Sequence, residues 1–419
     1  MQLLIGSIDR SPGCVVLNVV ARACRSQHHP LFGGFVCDLY PTFLLPADRA
    51  IPGCGSLFIS SSPNSALVSL FWLLTMTAPM RRALLSLTQG RPQTLAKAFF
   101  HSSPSLAMKV ARVTAWDSPP EYVSAPDPPA PSPTQLQLSV VAAGVPRVVR
   151  ARAAGKHPSA MRASLPYDPS IDGVGRDATG ELYFINSLAA PVFAERANVE
   201  RCQLIKLPAG VDPATIAGLA NPTASSWLAL RCRAIGGCAG RTVAILGATS
   251  ASGRIAANVA RQLGAARVIG LARNEAALAA VDGLDARVRL QDPLVLPADL
   301  GPVHIVLDYV GGPAAVQLLQ ALHPPPPGEN IQYILVGGLA GYEHMDLPMR
   351  LVNVKPIIIM GSGVGSLTRE DLDREMPGVV NALAKMGPIG VDVFAVPMAE
   401  IQTAWDSEEA QTKRMVIMP

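Results

Sequence analysis

Apolar and polar positions change rhythm twice along the 419 residues. Residues 1–79 show no sustained period. The most apolar run of this front, Ala66–Met76, has about 11 residues, whereas a membrane helix needs about 20, so no membrane span is expected. From Met108, the segment Met108-Lys-Val-Ala-Arg-Val-Thr-Ala alternates and predicts a first strand. A proline-rich loop, Pro119 to Pro133, follows it. Gln135–Gly144 then alternates again, a hairpin-like β region closed by Gly144. Residues 108–220 therefore read as short strands and loops without long helices.

From Asn221 the pattern becomes α/β. Thr223–Cys232 reads as helix, Arg241–Leu246 as buried strand and Ala251–Leu263 as helix ending at Gly264. Arg267–Leu271 is the next strand and Glu275–Val281 the next helix. His304–Asp308 and Gln332–Val336 are further apolar strands. Continuous apolar strands alternating with helices predict a parallel sheet covered on both faces. Pro324–Pro327 is a rigid spacer. Arg369–Met386 adds a helix and Arg414–Met418 a final strand.

Length allows two or three domains. The 49% apolar fraction is ample for a core and argues against a mainly disordered chain. The net charge of +4 is unevenly placed. Residues 1–107 hold eight basic and three acidic residues, which leaves the remainder near neutral at −1. A nucleic-acid partner is disfavoured, because phosphate binding needs surplus Lys and Arg on a folded face. Seven cysteines without regular spacing do not read as a disulfide framework. Within the front, Met80–Pro104 is rich in Arg, Ser and Leu and has no acid, the composition of a mitochondrial transit peptide. We expect residues 1–107 to be an extension without fold, and mitochondrial import, with cytoplasm as the alternative.

The strongest chemical signal is Leu246-Gly247-Ala248-Thr249-Ser250-Ala251-Ser252-Gly253, between a buried strand and a helix. Small residues permit a tight turn close to a pyrophosphate, and the helix start offers unpaired N–H groups. About 20 residues on, where NAD binding normally uses an acidic residue, stand Arg273 and Asn274. A guanidinium can bind a 2′-phosphate bidentately, whereas a carboxylate would repel it. The expected cofactor is NADP(H).

In this order, Val140-Val-Ala-Ala-Gly144, Ile171-Asp-Gly-Val-Gly-Arg176, Val192-Phe-Ala-Glu-Arg196, Asn221-Pro-Thr-Ala-Ser-Ser-Trp227, the glycine turn and Val336-Gly-Gly-Leu339 resemble one family. Residues 108–419 are similar to the zinc-independent, quinone-oxidoreductase-like branch of the medium-chain dehydrogenase/reductase superfamily. The resemblance implies an α/β Rossmann-type doubly wound parallel sheet beside a chaperonin-10-like, β-barrel-like domain. The boundaries would be 108–220 for the substrate domain, 221–365 for the nucleotide domain and 366–419 for the return to the substrate domain. It also implies a homodimer, with a cleft where nicotinamide and substrate meet. By the same resemblance Asn221 and Thr223 lie beside the nicotinamide, Tyr309 ends a strand at the cleft, and Gly337, Gly338 and Leu339 end the next. Ser362 and Gly363 would approach the nicotinamide ribose.

Zinc needs three protein ligands and an open position. Where zinc-dependent relatives place their first Cys, this chain has Gly144-Val-Pro-Arg147, and their Gly-His-Glu falls on Ile171-Asp-Gly-Val-Gly. No metal is expected. Without zinc to polarise an alcohol, the expected reaction is hydride transfer to a quinone or an activated C=C bond of an α,β-unsaturated carbonyl. Enoyl reductases similar to this branch use a Tyr proton donor. Pro158 stands where an aromatic residue would be expected, and Tyr167 is the nearest substitute. Two alternatives are an enoyl-thioester reductase and a cofactor-binding relative without turnover, crystallin-like or RNA-associated.

Overall fold

The computed structural model describes residues 2–11, 14–22 and 107–419, apart from Leu339, Val364 and Pro388. The chain divides into residues 1–100 and 101–419. In the first unit, β1 (Gln2–Ser11) and β2 (Cys14–Arg22) pair antiparallel, from Gln2 opposite Arg22 to Ser11 opposite Cys14. The sequence predicts no regular element here. Both segments are rich in Leu, Ile or Val and flank a Pro-Gly pair in the sequence, which is turn chemistry between strand formers. Met80–Pro104, the expected import signal, lies outside the described residues.

The second unit opens with the hairpin β3 (Ala107–Arg112) and β4 (Glu121–Pro126). β4 arises inside the stretch that reads as a loop. Then come β5 (Gln135–Gly144), α1 (Arg147–Ala153), β6 (Gly173–Arg176), β7 (Leu182–Ile185), β8 (Arg196–Glu200) and β9 (Leu204–Lys206). Next is α2 (Pro213–Leu228), which starts ten residues ahead of the expected helix at Thr223. The start signal is Asp212, whose carboxylate accepts the N–H groups of Ala214 (3.3 Å) and Thr215 (2.9 Å), with Pro213 in the first turn. Pro222 lies inside the helix and removes one of its hydrogen bonds. It is tolerated here because Ile216 to Leu228 is largely buried, and tertiary packing supplies most helical stability.

The nucleotide-type half follows: β10 (Thr242–Leu246), α3 (Ala251–Gln262), β11 (Arg267–Ala272), α4 (Glu275–Ala279), β12 (Ala286–Arg289), β13 (Ile305–Asp308), α5 (Gly312–Ala321), β14 (Ile331–Leu335), α6 (Met349–Val354), β15 (Ile357–Gly361) and α7 (Arg369–Lys385). The chain closes with β16 (Val393–Pro397), α8 (Ile401–Ala404), α9 (Glu408–Thr412) and β17 (Arg414–Met418).

One sheet runs β12-β11-β10-β13-β14-β15, every neighbour parallel. Strand order therefore reverses between β10 and β13, and ligands of such sheets bind outside the strand ends at that point. The other sheet runs β16-β17-β5-β6-β7-β9, with β8 also on β5. β16 and β17 thus carry the chain back to the sheet of β5. The sheet face with Ala142, Val174 and Phe184 packs on Ile216, Ala217 and Ala220 of α2, and α2 also joins the core around α3 and α7. This helix is the seam between the two halves. It carries no charged residue.

Candidate functional site

The glycine turn after β10 is built by its own small residues. Gly247 has φ +92°, and a side chain there would press on Val310 and Tyr309. Its N–H and that of Ala248 both donate to the Leu271 carbonyl, at 2.9 and 3.1 Å. Ser250 caps α3. Its Oγ accepts from the Gly253 N–H at 3.0 Å and donates to the Gly247 carbonyl at 2.8 Å. At Gly253 a Cβ would fall 2.3 Å from the Gly247 oxygen and 2.7 Å from the Ala248 Cα, so the helix can pack on the turn only with glycine there. Among the described residues, the N–H groups of Thr249, Ala251 and Ser252 have no protein acceptor. Such unpaired donors at a helix start bind anions.

The facing wall is the end of β13. Asp308 is fully buried, and its carboxylate accepts the N–H groups of Val310 (2.6 Å) and Gly311 (2.9 Å) and the Tyr333 hydroxyl. Burial raises the Asp308 carboxyl above the usual range, and these three donors pull it back. Together they fix the turn that presents Tyr309. Burial pushes the Tyr309 phenol up to about 12. Gly337 leaves room for this turn, because a Cβ there would lie 3.0 Å from the Tyr309 backbone. Gly338 is open.

Between these walls is a cavity of about 510 Å³, within the usual range for small-molecule sites. Gly247, Thr249, Ser250, Arg273 and Tyr309 line it, and so does Arg147 at the start of α1. Arg273 is exposed and makes no hydrogen bond or ion pair among the described residues. A free guanidinium at the end of β11, facing unpaired N–H groups, fits the 2′-phosphate and pyrophosphate of NADP(H). Arg147 escapes a reading of the sequence because Gly144-Val-Pro-Arg147 stands out there only for its missing Cys.

Other expected residues are placed differently. Asn274 caps α4, accepting the Ala277 N–H at 2.9 Å. Thr223 is fully buried, and its hydroxyl donates to the Leu219 carbonyl at 2.6 Å. Neither it nor Asn221 lines the cavity. Ser362 is buried, its Oγ has no partner among the described residues, and it does not line the cavity. Gly363 belongs to a turn closed by Ser366, whose Oγ accepts its N–H at 2.7 Å. Arg233, missed in the sequence, clamps that turn through the Gly361 (2.9 Å) and Ser366 (3.2 Å) carbonyls. Leu339 lies outside the described residues.

Tyr167 does not line the cavity. Its ring packs 5.7 Å from Trp116 and 5.2 Å from the Arg152 guanidinium, and its hydroxyl is buried without a partner. Burial raises its phenol above the ordinary value. Among the described residues, no cluster of three or more His, Cys, Asp or Glu could hold a metal, and no helix is long and apolar enough to cross a membrane.

A doubly wound parallel sheet with a glycine turn at its switch point, joined to a second, mainly antiparallel sheet, defines a two-domain dehydrogenase/reductase architecture. The chain is 47% identical over 358 residues to the probable NADPH-dependent quinone reductase tdiC of Emericella nidulans, a match covering 74% of this chain and all of that protein. The quinone oxidoreductase of Thermus thermophilus, solved also with NADPH, matches with TM-score 0.59 and 24% identity over 74% of this chain and all of that one. The Etr1p/NADP/crotonyl-CoA complex matches with TM-score 0.60 and 14% identity over 75% of this chain and all of that one. No family model matches the chain. The chain belongs to the zinc-independent, quinone-oxidoreductase-like branch of the medium-chain dehydrogenase/reductase superfamily.

Proposed function

We propose that the protein is an NADPH-dependent oxidoreductase that reduces a quinone or an activated C=C bond without zinc. The observation that carries this reading is one cavity holding the unpaired N–H groups of the glycine turn and the free Arg273 guanidinium. The 47% identical relative named as an NADPH-dependent quinone reductase supports it. Bound NADPH supplies a hydride at its nicotinamide. The residues of this chain bind and orient. Thr249, Ala251 and Ser252 hold the pyrophosphate and Arg273 the 2′-phosphate. Arg147 closes the cavity from the other half. Quinones and enones are already electrophilic, so positioning in a dry cleft is the main demand on the protein.

The test is NADPH oxidation with a panel of quinones and enones. Turnover with NADPH well above that with NADH supports the reading. Tight NADPH binding without turnover on any acceptor would favour the non-catalytic relative instead. The family resemblance extends the proposal to a homodimer, read by sedimentation. Mitochondrial import is proposed from Met80–Pro104, and sequencing the mature amino terminus tests it.

A further inference from the structure

The β-rich half holds a second cavity of about 290 Å³, near the lower end of the usual range for small-molecule sites. It shares no lining residue with the cavity of the glycine turn. β3 supplies one wall. Met108, Val110 and Arg112 alternate along that strand and so share one face. Met108 and Val110 pack with Ala194 in a small apolar core of their own. The proline-rich loop before β5 supplies another wall through Pro128 and Pro129. Two side chains of β8 hold that loop in place. Arg196 pairs with Asp127 at 2.5 Å, and Asn198 Nδ2 donates to the Pro129 carbonyl at 2.7 Å.

Two side chains of opposite charge type line this cavity without pairing, Arg112 and Asp168. The Arg112 guanidinium makes no hydrogen bond among the described residues, although its Nε is buried. A buried donor without an acceptor is costly, and such a group commonly marks a bound water, ion or ligand. The neighbouring cations are committed elsewhere. Arg196 belongs to Asp127. Arg152 donates to the Pro169 carbonyl at 2.9 Å and covers the Tyr167 ring at 5.2 Å. Asp168 accepts the Ser170 N–H through Oδ1 at 2.7 Å. Burial raises its carboxyl above the usual range, against the pull of Ser170, Arg112 and Arg152.

The charges decide the class of ligand. A simple anion would meet the Asp168 carboxylate, and a simple cation the Arg112 guanidinium, so each is opposed by one wall. A zwitterion satisfies both. Its carboxylate accepts from Arg112 in a charge-assisted bond, and its ammonium faces Asp168 and offsets the burial of that carboxyl. The apolar floor and the prolines then leave room for a hydrocarbon side chain. We propose that this cavity binds an apolar α-amino acid, with its carboxylate on Arg112, its ammonium on Asp168 and its side chain against Met108 and Val110.

The test is calorimetric titration of the full-length protein with L-leucine, L-methionine and L-phenylalanine. At least one should bind saturably, at one site per chain. Analogues of that amino acid without the ammonium, or without the carboxylate, should bind about tenfold or more weakly, the scale of one charge-assisted contact. Arg112→Gln and Asp168→Asn should each weaken the amino acid by a similar factor. NADPH affinity, read in the same preparations, should stay unchanged and report an intact fold. Hydrogen exchange of the wild type locates the ligand even if a variant does not fold. Slowed exchange in β3 and at residues 128–135 supports the proposal, whereas slowed exchange confined to the glycine turn overturns it. Failure of all three amino acids to bind, equal binding of the analogue without the ammonium, or unchanged binding in either variant would also overturn it.

Discussion

Replacing Arg273 with Glu separates phosphate recognition from folding. Arg273 is exposed and bonded to no described residue, so the change breaks no internal contact. Stability should move by no more than about 0.5 kcal/mol. Losing a charge-assisted contact to the 2′-phosphate costs about 1.5–3 kcal/mol. A carboxylate about 4 Å from the phosphate adds about 1–4 kcal/mol of repulsion, depending on solvent access. At 1.4 kcal/mol per tenfold, NADPH should bind at least about 60-fold more weakly. NADH has no 2′-phosphate and should change by less than about threefold on the same scale. Calorimetric titration of both nucleotides at fixed ionic strength measures this. Salt must be held constant, because exposed pairs are screened. Equal losses for NADPH and NADH would refute the assignment of Arg273.

Three further outcomes follow from the geometry. Gly253→Ala places a methyl 2.3 Å from the Gly247 oxygen; it should cost about 2 kcal/mol or more, the range of strained or overpacked sites, and weaken NADPH binding, read by thermal unfolding with and without nucleotide. Tyr333→Phe leaves the buried Asp308 without one donor; a loss of about 1–3 kcal/mol should accompany weaker NADPH binding through a looser Tyr309–Gly311 turn, and an unchanged melting temperature would contradict this. Asp172 binds protons more tightly folded than unfolded, so its contribution to stability is full below about pH 4 and is lost as pH rises through about 7. Asp172→Asn should therefore be more stable than wild type at about pH 8, by an amount of order 4 kcal/mol, and not at about pH 3, below both values, in paired denaturant titrations.

The nucleotide half was legible because its signals are local. Continuous apolar strands such as Val243–Leu246 and Ile305–Leu307, with a glycine turn between strand and helix, define a parallel sheet and its switch point. Arg273 could be placed by counting from that turn. The other half depends on long-range pairing. β4 and β6 are four to six residues long, and their partners are chosen by the sheet rather than by local pattern. α2 starts ten residues ahead of the helix expected at Thr223, because the Asp212 cap and burial outweigh Pro222 within it. Thr223 was assigned by motif, yet the helix itself binds its hydroxyl. Arg147 and Asp172 were in motifs already in view. The cavity position of Arg147 and the burial of Asp172 depend on which elements lie opposite, and one strand alone does not carry that information.

The central claim is that this cavity directs hydride from NADPH to an electrophilic acceptor. The most direct measurement is single-turnover reduction of a quinone by the protein loaded with NADPH deuterated at the transferred position. We predict loss of reduced-nicotinamide absorbance mole for mole with hydroquinone formation, slowed by a primary isotope effect. Bound NADPH that persists with every quinone and enone offered would contradict the account.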